Sequence, residues 1–291
     1  MDKLFLIDAY ALIYRSYYAL IKNPRINSKG FNTSAVMGFV NTLNEIMTKE
    51  QPTHIAVAFD HGKTFRDEAF PQYKAQREET PEDIRRSVPV IKDIIAAMNI
   101  PALQADGFEA DDIIGTLAVK AGGLGVETYM LTPDKDYGQL VRDNVFIFRP
   151  RHGGGYEKMG PKEVCAKYAI DSPQRVIDLL ALMGDSADNF PGCPGVGEKT
   201  AAKLIAQFGD VDNMLDNTAD IKGKLREKVE TAVDDIRMSK FLATIRTDVP
   251  IDLDLDSMRL GEPDEQKLRE IFNELEFKTV SYTHLTLPTN S

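Results

Sequence analysis

Short apolar runs alternate with amphipathic segments along the first half of the chain. Four runs of four or five residues lie at 4–7, 55–59, 127–131 and 145–148. Runs of this length suit strands that are buried on both faces of a parallel sheet. Between them, apolar residues recur at helical spacing after Ser34, after Thr80-Pro81 with Thr80 as the cap, and over 110–121. The alternation predicts an α/β fold with helices packed on a parallel sheet.

The pattern changes after about residue 172 to short helical segments separated by glycines. Helical spacing predicts helices over 174–183, 199–208, 221–241 and 264–275. We therefore expect an α/β domain over 1–171, a compact helical subdomain over 172–258 and a C-terminal helical extension over 259–278. Residues 279–291 contain no Asp, Glu, Lys or Arg, and we interpret them as a non-native or disordered tail.

The composition is that of an ordinary globular protein, with 43% hydrophobic and 27% charged residues. No apolar run approaches the ~18 residues of a membrane span, and the N-terminal run ends at an acid without a signal-peptide cleavage site. The two cysteines cannot form a disulfide framework. These features predict a cytoplasmic protein without a membrane partner.

Acidic residues stand where the predicted strands end. Asp8 and Asp60 each close an apolar run, and Asp134 and Asp136 follow the third strand. A lone acid after a strand usually forms a turn, but parallel strands end at one edge of the sheet, where such sheets bind ligands. With the acids that open the helix at 110–121 and a pair three residues apart, the set is Asp8, Asp60, Glu109, Asp111, Asp112, Asp134, Asp136, Asp185 and Asp188.

These nine carboxylates would repel one another strongly. Two acids about 4 Å apart repel by roughly 4 kcal/mol at an effective dielectric of 20, so the set requires bound cations. Oxygen ligands without a His/Cys spacing favour Mg²⁺ or Mn²⁺ over zinc. Two such ions about 4 Å apart are a common device for phosphodiester hydrolysis. The formal net charge of −10 is −1 without the nine acids, so it does not argue against a DNA partner.

A glycine-rich turn precedes the helix predicted at 199–208. Its candidate DNA-binding residues are Gly195, Val196, Gly197, Lys199 and Thr200. Glycine lets backbone N–H groups approach a phosphate, and the helix start favours an anion. The turn is typical of a helix-hairpin-helix motif that holds duplex phosphates without reading sequence. An ordinary helix–helix turn is the alternative, and the spacing of a Walker P-loop is absent.

Residues 63–92 combine basic and aromatic side chains, which suits a channel for a nucleic-acid backbone with base stacking. Six acids in the same segment make a solvated surface an equal alternative. The candidate side chains, including one just beyond the first predicted strand, are Arg15, Arg66, Tyr73, Lys74 and Arg77.

Eight motifs together carry a resemblance to a nuclease family. They are Phe5-Leu6-Ile7-Asp8, Ala58-Phe59-Asp60, Thr64-Phe65-Arg66, Tyr73-Lys74-Ala75-Gln76-Arg77, Gly107-Phe108-Glu109-Ala110-Asp111-Asp112, Thr132-Pro133-Asp134-Lys135-Asp136, Gly184-Asp185-Ser186-Ala187-Asp188-Asn189 and Pro194-Gly195-Val196-Gly197-Glu198-Lys199-Thr200-Ala201. Over residues 3–278 the sequence resembles the 5′-nuclease domain of bacterial DNA polymerase I and its flap-endonuclease relatives. The resemblance implies a PIN-like α/β domain, with a helical arch at about 63–92, and a helix-three-turn-helix DNA-binding subdomain.

The function implied by the resemblance is that of a structure-specific 5′→3′ exonuclease and 5′-flap endonuclease in primer removal and DNA repair. The implied substrate is DNA with a 5′ flap or a nick, and a polymerase module is normally on the same chain. One metal ion is implied at the residues Asp8, Asp60, Glu109, Asp111 and Asp112, and the other at Asp134, Asp136, Asp185 and Asp188.

The resemblance also assigns roles to basic residues. Lys74 matches an arch lysine that polarises the scissile phosphate, and Arg77 matches a neighbouring arch arginine. The turn at 195–199 matches one that grips duplex phosphates, often with a K⁺ ion. We add Arg15 as a candidate catalytic residue, and Arg66 and Tyr73 as candidate DNA contacts.

Two other function classes compete with this interpretation. A phosphatase with an Asp nucleophile needs a second Asp two residues after the first, but Asp8 is followed by Ala9 and Tyr10. A covalent phospho-aspartate would identify such an enzyme. A catalytically inactive DNA-binding module should have lost members of the acidic set, and none is missing. Metal-dependent nicking of DNA would exclude that class.

Overall fold

A computed structural model of the chain describes residues 2–151 and 154–277. Its strands are β1 (Lys3–Asp8), β2 (His54–Ala58), β3 (Ala102–Leu103), β4 (Glu127–Leu131), β5 (Val145–Pro150) and β6 (Tyr156–Met159). They form one sheet in the order β3-β2-β1-β4-β5-β6. Neighbouring strands are parallel except β5 and β6, which are antiparallel. The predicted α/β fold with a parallel sheet is confirmed.

Helices surround the sheet and form most of the second half of the chain. They are α1 (Ala9–Ala19), α2 (Ser34–Glu50), α3 (Phe65–Ala69), α4 (Glu82–Ala97), α5 (Ala110–Gly123), α6 (Pro161–Tyr168), α7 (Val176–Met183), α8 (Glu198–Phe208), α9 (Val211–Asp216), α10 (Lys224–Thr231), α11 (Val233–Ala243), α12 (Leu255–Met258) and α13 (Glu265–Glu274). Short 3₁₀ turns lie at Asp136–Leu140, Pro173–Arg175 and Thr218–Asp220. Within the described ranges, no helix has the length and apolar character needed to cross a membrane.

The central strand β1 is buried on both faces. Leu4 and Leu6 belong to a core that includes α5 and the helices from α7 to α12. Phe5 and Ile7 belong to a second core, built with α1, α2, α4 and α13. Because side chains alternate between the faces of a strand, a strand covered on both sides must be apolar at every position. This explains why the continuous apolar run at 4–7 correctly predicted β1.

The two outermost strands were not predicted. β3 has only two residues, Ala102 and Leu103. β6 contains Glu157 and Lys158 between Tyr156 and Met159, and it lies antiparallel at the edge of the sheet. Neither forms a run of four apolar residues, so the pattern that identified the other four strands could not detect them.

Two predicted helix boundaries were wrong. Thr80 does not cap α4, because its Oγ1 accepts a hydrogen bond from the Tyr14 hydroxyl at 3.0 Å and the helix starts only after Pro81. The helix predicted over 221–241 is two helices, α10 and α11, which meet at Ala232.

Part of the predicted arch and the predicted extension belong to the core of the α/β domain. In α4, Ile84 and Ile91 are fully buried, so this half of the 63–92 segment does not stand free of the sheet. The extension helix α13 packs against α4 through Leu268 and Phe272. The tail predicted at 279–291 lies outside the described residues.

Candidate active site

The carboxyl ends of β1 and β2 position the first two acids. The parallel register pairs Asp8 with Ala58, so Asp60 follows at the same edge of the sheet. Asp8 caps α1, and its Oδ1 accepts a hydrogen bond from Ala11 N at 3.0 Å. Asp60 Oδ1 accepts one at 2.7 Å from the N–H of Ala110, the first residue of α5. Each acid therefore fixes a helix start while remaining at the sheet edge.

The start of α5 brings further acids to this edge. Glu109 is the cap residue of the helix. Asp111, in the first turn, accepts a hydrogen bond from the Tyr137 hydroxyl at 2.6 Å. Burial, and then the negative charge of Asp8, raises the pKa of Asp111 well above its usual range. Asp111 is therefore close enough to Asp8, at the end of β1, for the two charges to interact.

The segments after β4 and α7 supply a second group of acids. Asp134 Oδ1 accepts a hydrogen bond from Asp136 N at 2.9 Å. Asp136 Oδ1 is buried and has no hydrogen-bond partner among the described residues. Burial, and then the charge of Asp134, raises the pKa of Asp136 well above its usual range, and Asp185 and Asp188 act in the same direction. The other three acids therefore lie close enough for their charges to act on Asp136.

The two groups form one electrostatic unit. Burial raises the pKa of Asp8 to about 7; the bond from Ala11 opposes the rise, and the charges of Asp60 and Asp134 add to it. A buried carboxyl whose pKa rises this far is one whose charge is poorly compensated. The cluster therefore favours any cation that can reach it.

Arg66 is a buried counterion and not a DNA contact, so that prediction was wrong. Its side chain is 2% exposed. Its guanidinium donates twice to Asp112 at 2.8 Å and once to Glu109 at 3.0 Å. It also donates at 2.8 Å to the carbonyl oxygens of Leu242 and Thr244. These bonds use all five N–H groups of arginine, so none remains for a phosphate.

Asp112 is likewise removed from the candidate metal ligands. Its side chain is fully buried. Besides both bonds from Arg66, its oxygens accept the backbone N–H groups of Glu109 at 3.1 Å and Arg246 at 2.8 Å. Adjacent residues on a helix point in different directions, so Asp111 faces the cluster while Asp112 faces the core.

Tyr73 was also predicted wrongly as a DNA contact. It is 6% exposed and belongs to the core. Its hydroxyl lies 3.0 Å from Glu109 Oε2 and 3.3 Å from Asp188 Oδ2. The ring therefore offers no open face to a base, and the hydroxyl bridges the two groups of acids.

Lys74 and Arg77 do lie at the carboxylates. Lys74 Nζ is 2.5 Å from Glu109 Oε1 and 4.0 Å from Asp188 Oδ2. The Lys74 backbone has a φ of +54° and its N–H donates to the Asp188 carbonyl at 2.9 Å, which directs the side chain inward. Arg77 Nη2 lies 2.5 Å from Asp188 Oδ1, on a side chain that is 53% exposed.

The carboxylates are turned towards protein cations and do not form a ready-made set of metal ligands. Lys135 Nζ lies 2.6 Å from Asp185 Oδ2, in addition to the contacts of Lys74 and Arg77. Across 2–151 and 154–277, no group of three or more His, Cys, Asp or Glu side chains is arranged to hold a metal ion. The donor chemistry nevertheless fits a hard cation, because every donor is an oxygen and Asp136 Oδ1 lacks a partner.

Arg15 is not brought to this cluster. It is exposed on α1, and no hydrogen bond or ion pair joins it to a carboxylate in the described part of the chain. Its charge acts on Tyr156 in β6, where burial raises the pKa of the hydroxyl and Arg15 lowers it. Its proximity to Asp8 in sequence was a misleading signal, because the residues lie two helical turns apart.

The glycine turn forms as predicted before α8. Gly195 has a φ of +77°, which a residue with a side chain rarely adopts, and Val196 anchors the turn with 4% exposure. Gly197 is exposed at the start of α8, followed by exposed Lys199 and half-buried Thr200. Lys199 has no ion-pair partner among the described residues, so its charge is available to a ligand.

Three residues near these sites were not predicted: Lys228, Lys135 and Tyr137. A Cβ on Gly195 would lie 2.6 Å from Lys228 Nζ, so a lysine of α10 lies against the turn. No local pattern connects Lys228 with that turn. Lys135 lies within the motif at 132–136 and Tyr137 directly follows it. Their position beside Asp134 and Asp136 could have indicated that both lie near the acids.

Two family models match the chain. Residues 3–169 match the 5′-3′ exonuclease, N-terminal resolvase-like domain, and residues 171–266 match the 5′-3′ exonuclease, C-terminal SAM fold. The chain belongs to the 5′-3′ exonuclease family. The match confirms the predicted 5′-nuclease family and the predicted fold class.

Relatives share this region within longer proteins. The chain is 43% identical over 281 residues to DNA polymerase I of Bacillus caldotenax and 42% identical over 282 residues to that of Bacillus subtilis. The alignments cover 95% and 96% of this chain but 32% of each relative, so the chain spans about a third of the length of these curated relatives.

A similar fold occurs in the crystal structure of bacteriophage T5 flap endonuclease in a pseudo-enzyme-product complex with DNA and metal ions. The TM-score is 0.71 at 21% identity, and the match covers 94% of this chain and 100% of that chain.

We predict that Arg66→Met lowers the free energy of unfolding by about 3–5 kcal/mol, because it leaves Asp112 charged and buried without its partner. Arg246→Met is the matched control: it breaks an exposed pair with Asp248, which is worth about 0–1 kcal/mol. Urea unfolding at pH 7 in EDTA measures both. Equally small losses in the two variants would show that Arg66 is not the counterion on which the start of α5 depends.

Proposed function

We propose that the chain is a divalent-metal-dependent 5′→3′ exonuclease and 5′-flap endonuclease that hydrolyses DNA phosphodiesters. The observation that carries the proposal is the cluster of acids at one sheet edge, with poorly compensated charge and a buried oxygen without a partner. Asp8, Asp111 and Asp136 have no ion-pair partner among the described residues, whereas Asp112 is buried against Arg66. Membership of the 5′-3′ exonuclease family supports the same conclusion.

Mg²⁺ or Mn²⁺ ions are the proposed cofactors. Asp8, Asp60, Glu109 and Asp111 would hold one ion, and Asp134, Asp136, Asp185 and Asp188 the other. When bound, such ions supply positive charge to the reacting phosphate and lower the pKa of water. The metal ions in the T5 flap endonuclease complex support this proposal.

Lys74 is the proposed catalytic cation of the protein itself. It is held inside the cluster by Glu109, and a phosphate that entered would meet its ammonium group there. Arg77 is more exposed and would contact the phosphate backbone beside it. Charge placed in advance where a transition state becomes negative is an efficient form of catalysis.

Duplex DNA is the proposed ligand of the turn at Gly195–Gly197. Gly195 and Gly197 are exposed, and Lys199 and Lys228 add charge without carboxylate partners in the described chain. A K⁺ ion at 195–199 stays a further proposal, and it would share the turn with the Lys228 ammonium group.

The proposed substrate is DNA with a 5′ flap or nick, as in primer removal and DNA repair in the bacterial cytoplasm. DNA polymerase I is the name of the bacterial relatives, which are about three times as long as this chain. We therefore also propose that a polymerase module normally lies on the same chain.

We predict that Asp134→Asn lowers the rate of flap cleavage in Mg²⁺ by at least 10²-fold while flap DNA is still bound, because the change removes cluster charge and leaves the turn intact. Single-turnover cleavage with and without EDTA, beside binding in Ca²⁺, measures both. Asp143→Asn, at an exposed position before β5, is the control. A wild-type protein that bound the flap but never cut it in Mg²⁺ would be an inactive DNA-binding module, contrary to the proposal.

We predict different defects for two lysines. Lys74→Ala lowers the single-turnover rate at saturating enzyme by about 10²-fold, like loss of a donor to a developing negative charge. Lys199→Ala weakens duplex binding and reduces the salt slope by about one, because one phosphate contact is lost, with the saturated rate largely kept. A salt titration of binding beside cleavage separates the two effects. One shared phenotype would contradict the division into a catalytic and a gripping lysine.

A further inference from the structure

Lys135 occupies an unusual position, between two acids of the cluster in sequence and against a third in space. It follows Asp134 and precedes Asp136, and its Nζ lies 2.6 Å from Asp185 Oδ2. The lysine is thus the ion-pair partner of Asp185.

The hydrogen bonds of Asp185 show what Lys135 blocks. Its Oδ1 accepts the backbone N–H groups of Ala187 at 2.7 Å and Asp188 at 3.4 Å. Oδ2 receives the Lys135 ammonium and, from the residues that the structure describes, no backbone N–H. The oxygen that Asp185 could offer to a divalent ion is therefore the one that the lysine holds.

The lysine side chain is partly exposed to solvent, in contrast to the buried arginine of the same cluster. Its side chain is 41% exposed, whereas Arg66 is 2% exposed and has five hydrogen bonds. An ammonium group and a divalent ion within a few ångströms repel each other. Binding of the ion at Asp185 would therefore displace the lysine towards solvent.

We propose that Lys135 is a displaceable internal counterion that competes with divalent ions for Asp185 and so sets the affinity of the cluster for them. The inference rests on the proposed metal dependence. It adds a positioning residue for the ions, which stabilises the chain in their absence and weakens their binding. A surface lysine without a role at the cluster would neither stabilise the chain in the absence of ions nor weaken their binding.

The test is calorimetric titration of Mn²⁺ into the full chain, stripped with EDTA and measured without DNA. Lys135→Met and Lys135→Gln remove the charge, and Lys135→Arg retains it. We expect about tenfold tighter Mn²⁺ binding for both uncharged variants, a lower melting temperature before Mn²⁺ is added, and values close to wild type for the arginine variant. Lys158→Met is the matched control, because Lys158 is 45% exposed and pairs with Glu127 at 3.1 Å on the edge strand.

The outcomes separate this inference from the proposed function. Mn²⁺ binding with unchanged or weaker affinity in both uncharged variants would overturn the role of Lys135 while metal dependence stands. Absence of Mn²⁺ binding in the wild-type chain would overturn metal dependence and this inference with it. Equal tightening in Lys158→Met would show a general effect of net charge, which also contradicts a specific role for Lys135.

Discussion

Mutual repulsion of carboxylates at one edge of the sheet is the constraint on which the rest of this structure depends. The fold itself creates it, because parallel strands end together and β1, β2 and β4 each lead into an acid. Helix starts at α1 and α5 and the loop after α7 deliver the others. Burial in a low dielectric then strengthens each repulsion. Four cations of the described chain, Arg66, Lys74, Arg77 and Lys135, form ion pairs with these carboxylates.

The counterions fall into two kinds that differ in burial. Arg66 is enclosed, uses all its donors, and joins the start of α5 to the carbonyls at the end of α11, so it is a fixed part of the fold. Lys74 pairs with two carboxylates and Lys135 and Arg77 with one each, and their side chains are 20%, 41% and 53% exposed, so water can reach all three. The buried arginine makes Asp112 structural, and under the proposed function the more exposed cations would yield Glu109, Asp185 and Asp188 to ions and substrate.

The strands, helices and turns that produce a local sequence pattern could be predicted from the sequence. Four strands were visible because burial on both faces demands continuous apolar runs, and the convergence of Asp8, Asp60 and Asp134 followed from parallel pairing. The edge strand β6 was missed because a strand at the edge of a sheet can carry polar side chains. It therefore does not form the continuous apolar run that identified the other strands. Arg66, Tyr73 and Asp112 were misassigned because a motif shows that a residue is needed without showing which way it points. Lys228 was invisible because only tertiary packing brings it to Gly195.

The most direct test of the account is the free energy of unfolding of the EDTA-stripped chain in urea, measured with Mg²⁺ and with NaCl at matched ionic strength. If carboxylate repulsion at the sheet edge is relieved by bound ions, stability rises with the logarithm of Mg²⁺ concentration, by about 2.7 kcal/mol at a hundred times the dissociation constant. Identical stability in Mg²⁺ and in matched NaCl would contradict the account, because the acids would then be satisfied by the protein's own cations alone.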